Sequence, residues 1–214
     1  LGSFDGFIAQ PWMEGQRLQP TDAKDPAILS HLGRYLAARA GPILPLTAAQ
    51  AGLKRLADIL YWNIREACGE RLAARAQAWV ESLPPAEPGP SYSDGRMAPH
   101  EWLYTPDGRL LKTDSTGHQF DHTCVGEQSL LWDVAGVVVE WNLESAAPLL
   151  RSLRAAGIQN DSRLLLLHQM AYAAFRLGVC SLFASQDVGT EERGRLERAA
   201  EYYRHSLSRW LTTA

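Results

Sequence analysis

The residues best equipped for chemistry lie between 91 and 114, in SYSDGRMAPHEWLYTPDGRLLKTD. Asp94, Glu101 and Asp114 supply carboxylates, which accept protons and bind hard cations through oxygen. Arg96 supplies a guanidinium, which stays protonated, cannot act as a base, and can hold a phosphate or carboxylate. The turn signal Pro106-Asp107-Gly108 sits between alternating residues and predicts a two-strand hairpin with Asp114 at its far end. Just downstream, HQFDHTC brings His118, Asp121, His122 and Cys124 into one short stretch. Zinc accepts all of these types, but no second ligand pair at finger-like spacing follows, so a zinc site is not expected. Each of these groups also has a plainer reading: Ser-Asp-Gly is ordinary turn chemistry, and a hairpin glutamate is usually solvated.

Helices must position this insert. DPAILSHLGRYLAARAG, 25–41, reads as a helix with Asp25 as N-cap, Pro26 in the first turn and Gly41 as the stop. The stretch 46–83 is the longest helical pattern. Leu53, Leu56, Leu60, Ile64 and Ala67 recur at helical spacing, Thr47 is a candidate cap, and Gly69 is a point of division. Four prolines between 84 and 95 exclude helix and central strand. SLLWDVAGVVVEWNL, 129–143, is predicted to be a buried helix, because the spacing of Leu130, Val134, Val137 and Trp141 outweighs the strand preference of three successive valines. Three or four more helices are expected after 145, the last with Thr190 as cap and Glu191 and Glu192 in its first turn. Trp132 and Trp141 are expected in or near the core, and His168 as a satisfied buried histidine. FDGFIAQPWMEGQRL, 4–18, reads as a short strand, a break at the proline and a glycine turn.

Composition narrows the classes. The chain has 214 residues, a formal charge of −3 and 46% hydrophobic residues, which is ordinary for a globular domain with a sizeable core. No broad basic surface invites nucleic acid. Cys68, Cys124 and Cys180 lie far apart and form no CxxC, which fits a reducing, cytoplasmic setting. The apolar run LLLLHQMAYAAF, 164–175, reads as a buried helix, too short to span a bilayer, and the N-terminus has no charged-then-apolar leader, so no membrane partner is expected.

GRMAPHEWL, the hairpin with KTD, and LLWDVAG together resemble the C-terminal lobe of the aminoglycoside phosphotransferase and choline kinase-like superfamily. There the catalytic loop reads roughly G-D-x-x-P-x-N-x-L, a hairpin strand ends in Asp, and a helix opening near D-L-A follows. Gly95, Pro99, Leu103, Asp114, Asp133 and Ala135 match. FIAQPWMEGQRL is similar to the hinge between the two lobes of that family. The resemblance implies a mainly α fold: a hinge-like segment over 1–20 and a helical kinase-like lobe over 21–214, with a small hairpin carrying the loop. The N-terminal ATP-binding lobe would lie outside this chain, which opens LGSFDGF without a methionine and reads as a processed, truncated or partial product.

The resemblance also implies site roles. Asp114 and Glu101 would hold magnesium, Glu101 standing where the family has Asn. Gln10 and Trp12 would contact the nucleotide at the hinge. His118 and His122 would face a small-molecule substrate, and Asp133 would steady the loop backbone. Arg96 occupies the place of the family's catalytic Asp, and Asp94 is a candidate substitute base. Two functions follow: an ATP- and magnesium-dependent phosphotransferase acting on a small-molecule hydroxyl, or a non-catalytic member that binds a nucleotide or metabolite. A hydrolase or metal protein built on His118 to Cys124 is a weaker third, since G-x-S-x-G and HExxH are absent. Acceptor and oligomeric state stay open.

Overall fold

The structure, a computed structural model, describes residues 2–4, 7–9, 12–40, 46–83, 93–113, 129–159 and 161–213. Seven helices dominate these residues: α1 (Pro26–Arg39), α2 (Leu46–Cys68), α3 (Glu70–Glu81), α4 (Leu130–Glu140), α5 (Ala147–Ala155), α6 (Ser162–Ala184) and α7 (Thr190–Thr213). Strands β1 (Gly2–Phe4) and β2 (Phe7–Ala9) form an antiparallel hairpin. A second sheet has the order β3 (Gln16–Arg17), β4 (Trp102–Tyr104), β5 (Leu110–Lys112), antiparallel throughout.

Local signals explain most boundaries. Asp25 caps α1 by accepting from the Ala27 N–H at 2.8 Å, and Pro26 opens the helix where no donor is needed. Gly69, at φ 92, separates α2 from α3. The expectation for Thr47 fails, because α2 already begins at Leu46 and Thr47 lies inside its first turn. Ser129 caps α4 through the Leu131 N–H at 3.0 Å, and the helix reading of 129–143 holds.

The core is built around α4 and α6. Every α4 residue from Leu130 to Val139 is buried, and Trp132 and Trp141 with them. α6 packs against α2, α4 and α7, and α1 packs on α5. α6 runs well past the apolar stretch seen in the sequence and is long and apolar enough to cross a membrane by length and composition; 61% of that apolar window is buried within the fold. His168 in α6 is fully buried, its Nδ1 2.7 Å from the Leu164 carbonyl and its Nε2 3.3 Å from the Ser129 hydroxyl.

One glycine sets the height of the functional region over this core. A Cβ on Gly136 of α4 would lie 3.1 Å from the Tyr172 ring and 3.3 Å from the Met97 Cβ. The absent side chain lets the segment 93–101 and α6 both close on α4.

Candidate functional site

The hairpin is fixed by its turn. Thr105 N–H donates to the Arg109 carbonyl at 2.9 Å, Gly108 N–H to the Thr105 carbonyl at 2.9 Å, and the Thr105 hydroxyl donates to the Asp107 carboxylate. The resulting register sets Lys112 opposite Trp102. Beyond β5, the Thr113 N–H and hydroxyl both donate to the Glu101 carbonyl, at 2.7 and 2.8 Å. β4 also holds β3, and Leu18 N–H donates to the Trp102 carbonyl at 3.0 Å. The third strand therefore comes from the segment that the sequence marks as hinge-like.

α4 anchors the loop at both of the helix's ends. Asp133, in its first turn, accepts from the Asp94 N–H at 2.6 Å and the Gly95 N–H at 2.9 Å. Trp141, at the other end, donates its indole N–H to the Met97 carbonyl at 2.8 Å. Gly95 takes φ 82, a left-handed conformation that a side chain would strain, and this presents the two successive N–H groups to one carboxylate. Burial pushes the Asp133 carboxyl up to about 7; the two N–H donors oppose that rise, and the nearby Asp94 charge adds to it.

Asp94 is 1% exposed. Its Oδ2 accepts from the Tyr35 hydroxyl at 2.5 Å, and its Oδ1 lies 3.4 Å from both the Lys112 Nζ and the Arg96 N–H. Burial first, and then the Asp94 partner, raise the Tyr35 phenol well above its ordinary range, so it remains a donor. The Tyr35 ring stands edge-on to Trp102, with centroids 5.0 Å apart. Arg39 donates to the Ser93 carbonyl at 3.2 Å, and its buried Nε has no hydrogen-bond partner among the described residues. Tyr35 and Lys112 thus hold both oxygens of the carboxylate that the sequence offers as a substitute base.

Lys112 links this loop to the hairpin. Its side chain is 3% exposed, and its ammonium lies 2.9 Å from Glu101 Oε2 and 2.8 Å from the Thr113 carbonyl, besides the contact with Asp94. Magnesium at Glu101 would share that carboxylate with the ammonium; Asp114, the other expected ligand, lies outside the described residues. No group of three or more His, Cys, Asp or Glu among the described residues could hold a metal.

Arg96 is half-buried on the loop and Trp12 is 90% exposed before β3. Gln10, Asp114, His118 and His122 lie outside the described residues, as does the rest of the His118–Cys124 cluster. The structure thus gathers Asp94, Glu101 and Asp133 around one loop. It adds three groups that sequence reasoning missed: Lys112, Tyr35 and Arg39. Only Lys112 left a signal, as one of three lysines in an arginine-rich chain and the polar end of a predicted strand.

No protein-family model matches the chain, and no curated protein matches it in sequence. Among solved structures, the choline kinase LicA from Streptococcus pneumoniae is similar, with a TM-score of 0.56 and 14% identity over 88% of this chain and 66% of that one. At this identity the likeness is one of fold. The chain has the mainly helical architecture of a kinase-like fold, with a small antiparallel sheet, and spans about 66% of the length of that choline kinase.

Proposed function

We propose that this chain is the helical lobe of a kinase-like protein that binds a nucleotide or small metabolite and does not transfer a phosphoryl group efficiently. The carrying observation is the loop at 94–96. In the register of the family resemblance the base position holds Arg96, whose guanidinium cannot take a proton. The neighbouring carboxylate, Asp94, is enclosed by Tyr35 and Lys112 and is not available as a replacement. Phosphoryl transfer depends on positioned charge and an oriented nucleophile, and in this reading neither Arg96 nor Asp94 supplies the acceptor for the nucleophile's proton. The exposed Trp12 indole offers a flat face for stacking a base, and Arg96 offers charge for an anionic group.

A phosphotransferase acting on a small-molecule hydroxyl, with ATP and magnesium, is the second reading. It is favoured by the frame that survives: Asp133 holds the loop backbone, and the hairpin leads directly through Thr113 to Asp114. His118 and His122 remain candidates for substrate contact under this reading.

The test is thermal unfolding of the full-length gene product with and without ATP, in magnesium and in chelator, beside an assay of phosphate transfer to a panel of small alcohols and aminoglycosides. A ligand that binds only the folded state raises the midpoint. A rise without measurable transfer is the expected result. Transfer that disappears with Asp114→Ala would establish the second reading, and no shift at millimolar ATP would overturn nucleotide binding.

A further inference from the structure

The chain has three lysines; Lys24 and Lys54 are exposed, whereas the Lys112 side chain is 3% exposed. A buried ammonium persists only where fixed charges and acceptors replace water. Lys112 has three such partners: Glu101 Oε2 at 2.9 Å, Asp94 Oδ1 at 3.4 Å and the Thr113 carbonyl at 2.8 Å. Two of these are carboxylates of the loop, 0% and 12% exposed, and the third is main chain at the end of the hairpin. A divalent cation joining loop to hairpin through Glu101 Oε2 would need the place that the ammonium fills and would compete with it for the charge of that carboxylate.

We infer that Lys112 is a built-in cation: its ammonium stands between Asp94 and Glu101 and performs, as part of the chain, the loop-to-hairpin bridging that a metal ion at Glu101 would otherwise perform. Glu101 is then a counter-charge and not a metal ligand, and this part of the loop keeps its shape without divalent ions. The inference concerns the loop's own charges and holds whichever ligand the protein takes.

The test uses the full chain, with magnesium or manganese chloride alone as the probe, at constant ionic strength and without nucleotide. Wild type and Glu101→Gln should show the same unfolding response to metal, because Glu101 contributes no metal site. Lys112→Met removes the ammonium from between Asp94 and Glu101. It should gain a manganese-dependent rise in midpoint of several degrees, which the double variant Lys112→Met/Glu101→Gln lacks. A metal-induced rise in wild type that Glu101→Gln abolishes would overturn the inference, as would a folded Lys112→Met protein that gains no response. Should Lys112→Met fail to fold, the comparison of wild type with Glu101→Gln decides alone. Because no nucleotide is present, a failure of nucleotide binding leaves this outcome untouched.

Discussion

Asp133 and Glu140 stand seven positions apart on one helix, at its opposite ends, and each is a carboxylate with more than one donor. Asp133 receives main-chain N–H groups of Asp94 and Gly95, from a segment with no helix or strand of its own. Glu140 receives side chains: the Tyr172 hydroxyl at 3.0 Å, the Tyr203 hydroxyl at 2.9 Å and the Arg176 guanidinium at 3.1 Å, all on the same oxygen. Burial and the Glu140 charge together raise both phenols above their ordinary range. The two carboxylates of α4 therefore solve different problems. The first fixes the course of an irregular backbone, whose N–H groups have no rotamer by which to seek water. The second clamps α6 and α7, whose backbones are already satisfied and whose side chains can turn outward.

This contrast predicts a graded set of losses. The largest belongs to Asp133→Ala, which strands one buried and one half-buried N–H group and should cost about 3–5 kcal/mol in urea unfolding. Its pH dependence sharpens the point. The folded carboxyl titrates near 7, against an ordinary value of 3.8, so the folded protein retains a proton that the unfolded chain has released. This contribution is fully present below about 4 and is lost as pH rises towards 7. Asp133→Asn removes it, so subtracting the variant's stability curve from that of wild type should give a difference that falls across that window and is flat above it.

Glu140→Ala should cost less, about 2–3 kcal/mol, because Arg176 is one-third exposed and can regain water. Glu140→Gln should recover part of that loss; equal losses for Ala and Gln would break the comparison by showing that charge, and not acceptance, is what matters there. Tyr35→Phe removes one donor from Asp94 and should cost about 1–2 kcal/mol. Amide exchange at Gly95 would show whether the loop loosens with it. Lys54→Ala breaks an exposed pair with Asp58 and should change stability by less than about 0.5 kcal/mol.

What was legible in the sequence was what neighbouring residues decide. Asp25-Pro26 announced α1, Gly69 divided α2 from α3, and Pro-Asp-Gly announced the hairpin, since each signal acts within a few positions. Thr47 misled because Leu46 already takes helical geometry ahead of it. β1, β2 and β3 have two or three residues each, too few for an alternating pattern, so one short strand was expected where three occur. The site's charges were visible as residue types but not as partners. Tyr35 reaches Asp94 across 59 positions and Asp133 reaches the loop across 39, distances over which no local rule operates. The sequence shows Glu101 as a carboxylate but not the Lys112 ammonium turned inward against it.

The burial of α4 on all its sides has a consequence for synthesis. A helix apolar all round has no face suited to water and depends on its neighbours for cover. α6, which closes over it, begins at Ser162 and leaves the ribosome only after α4 is complete. Until then the growing chain carries three adjacent valines, Val137 to Val139, beside two tryptophans with nothing packed against them from the C-terminal side. Such an interval favours aggregation and chaperone capture. Fragments ending before Ser162 are expected in inclusion bodies, whereas the chain that includes both α6 and α7 should stay in solution.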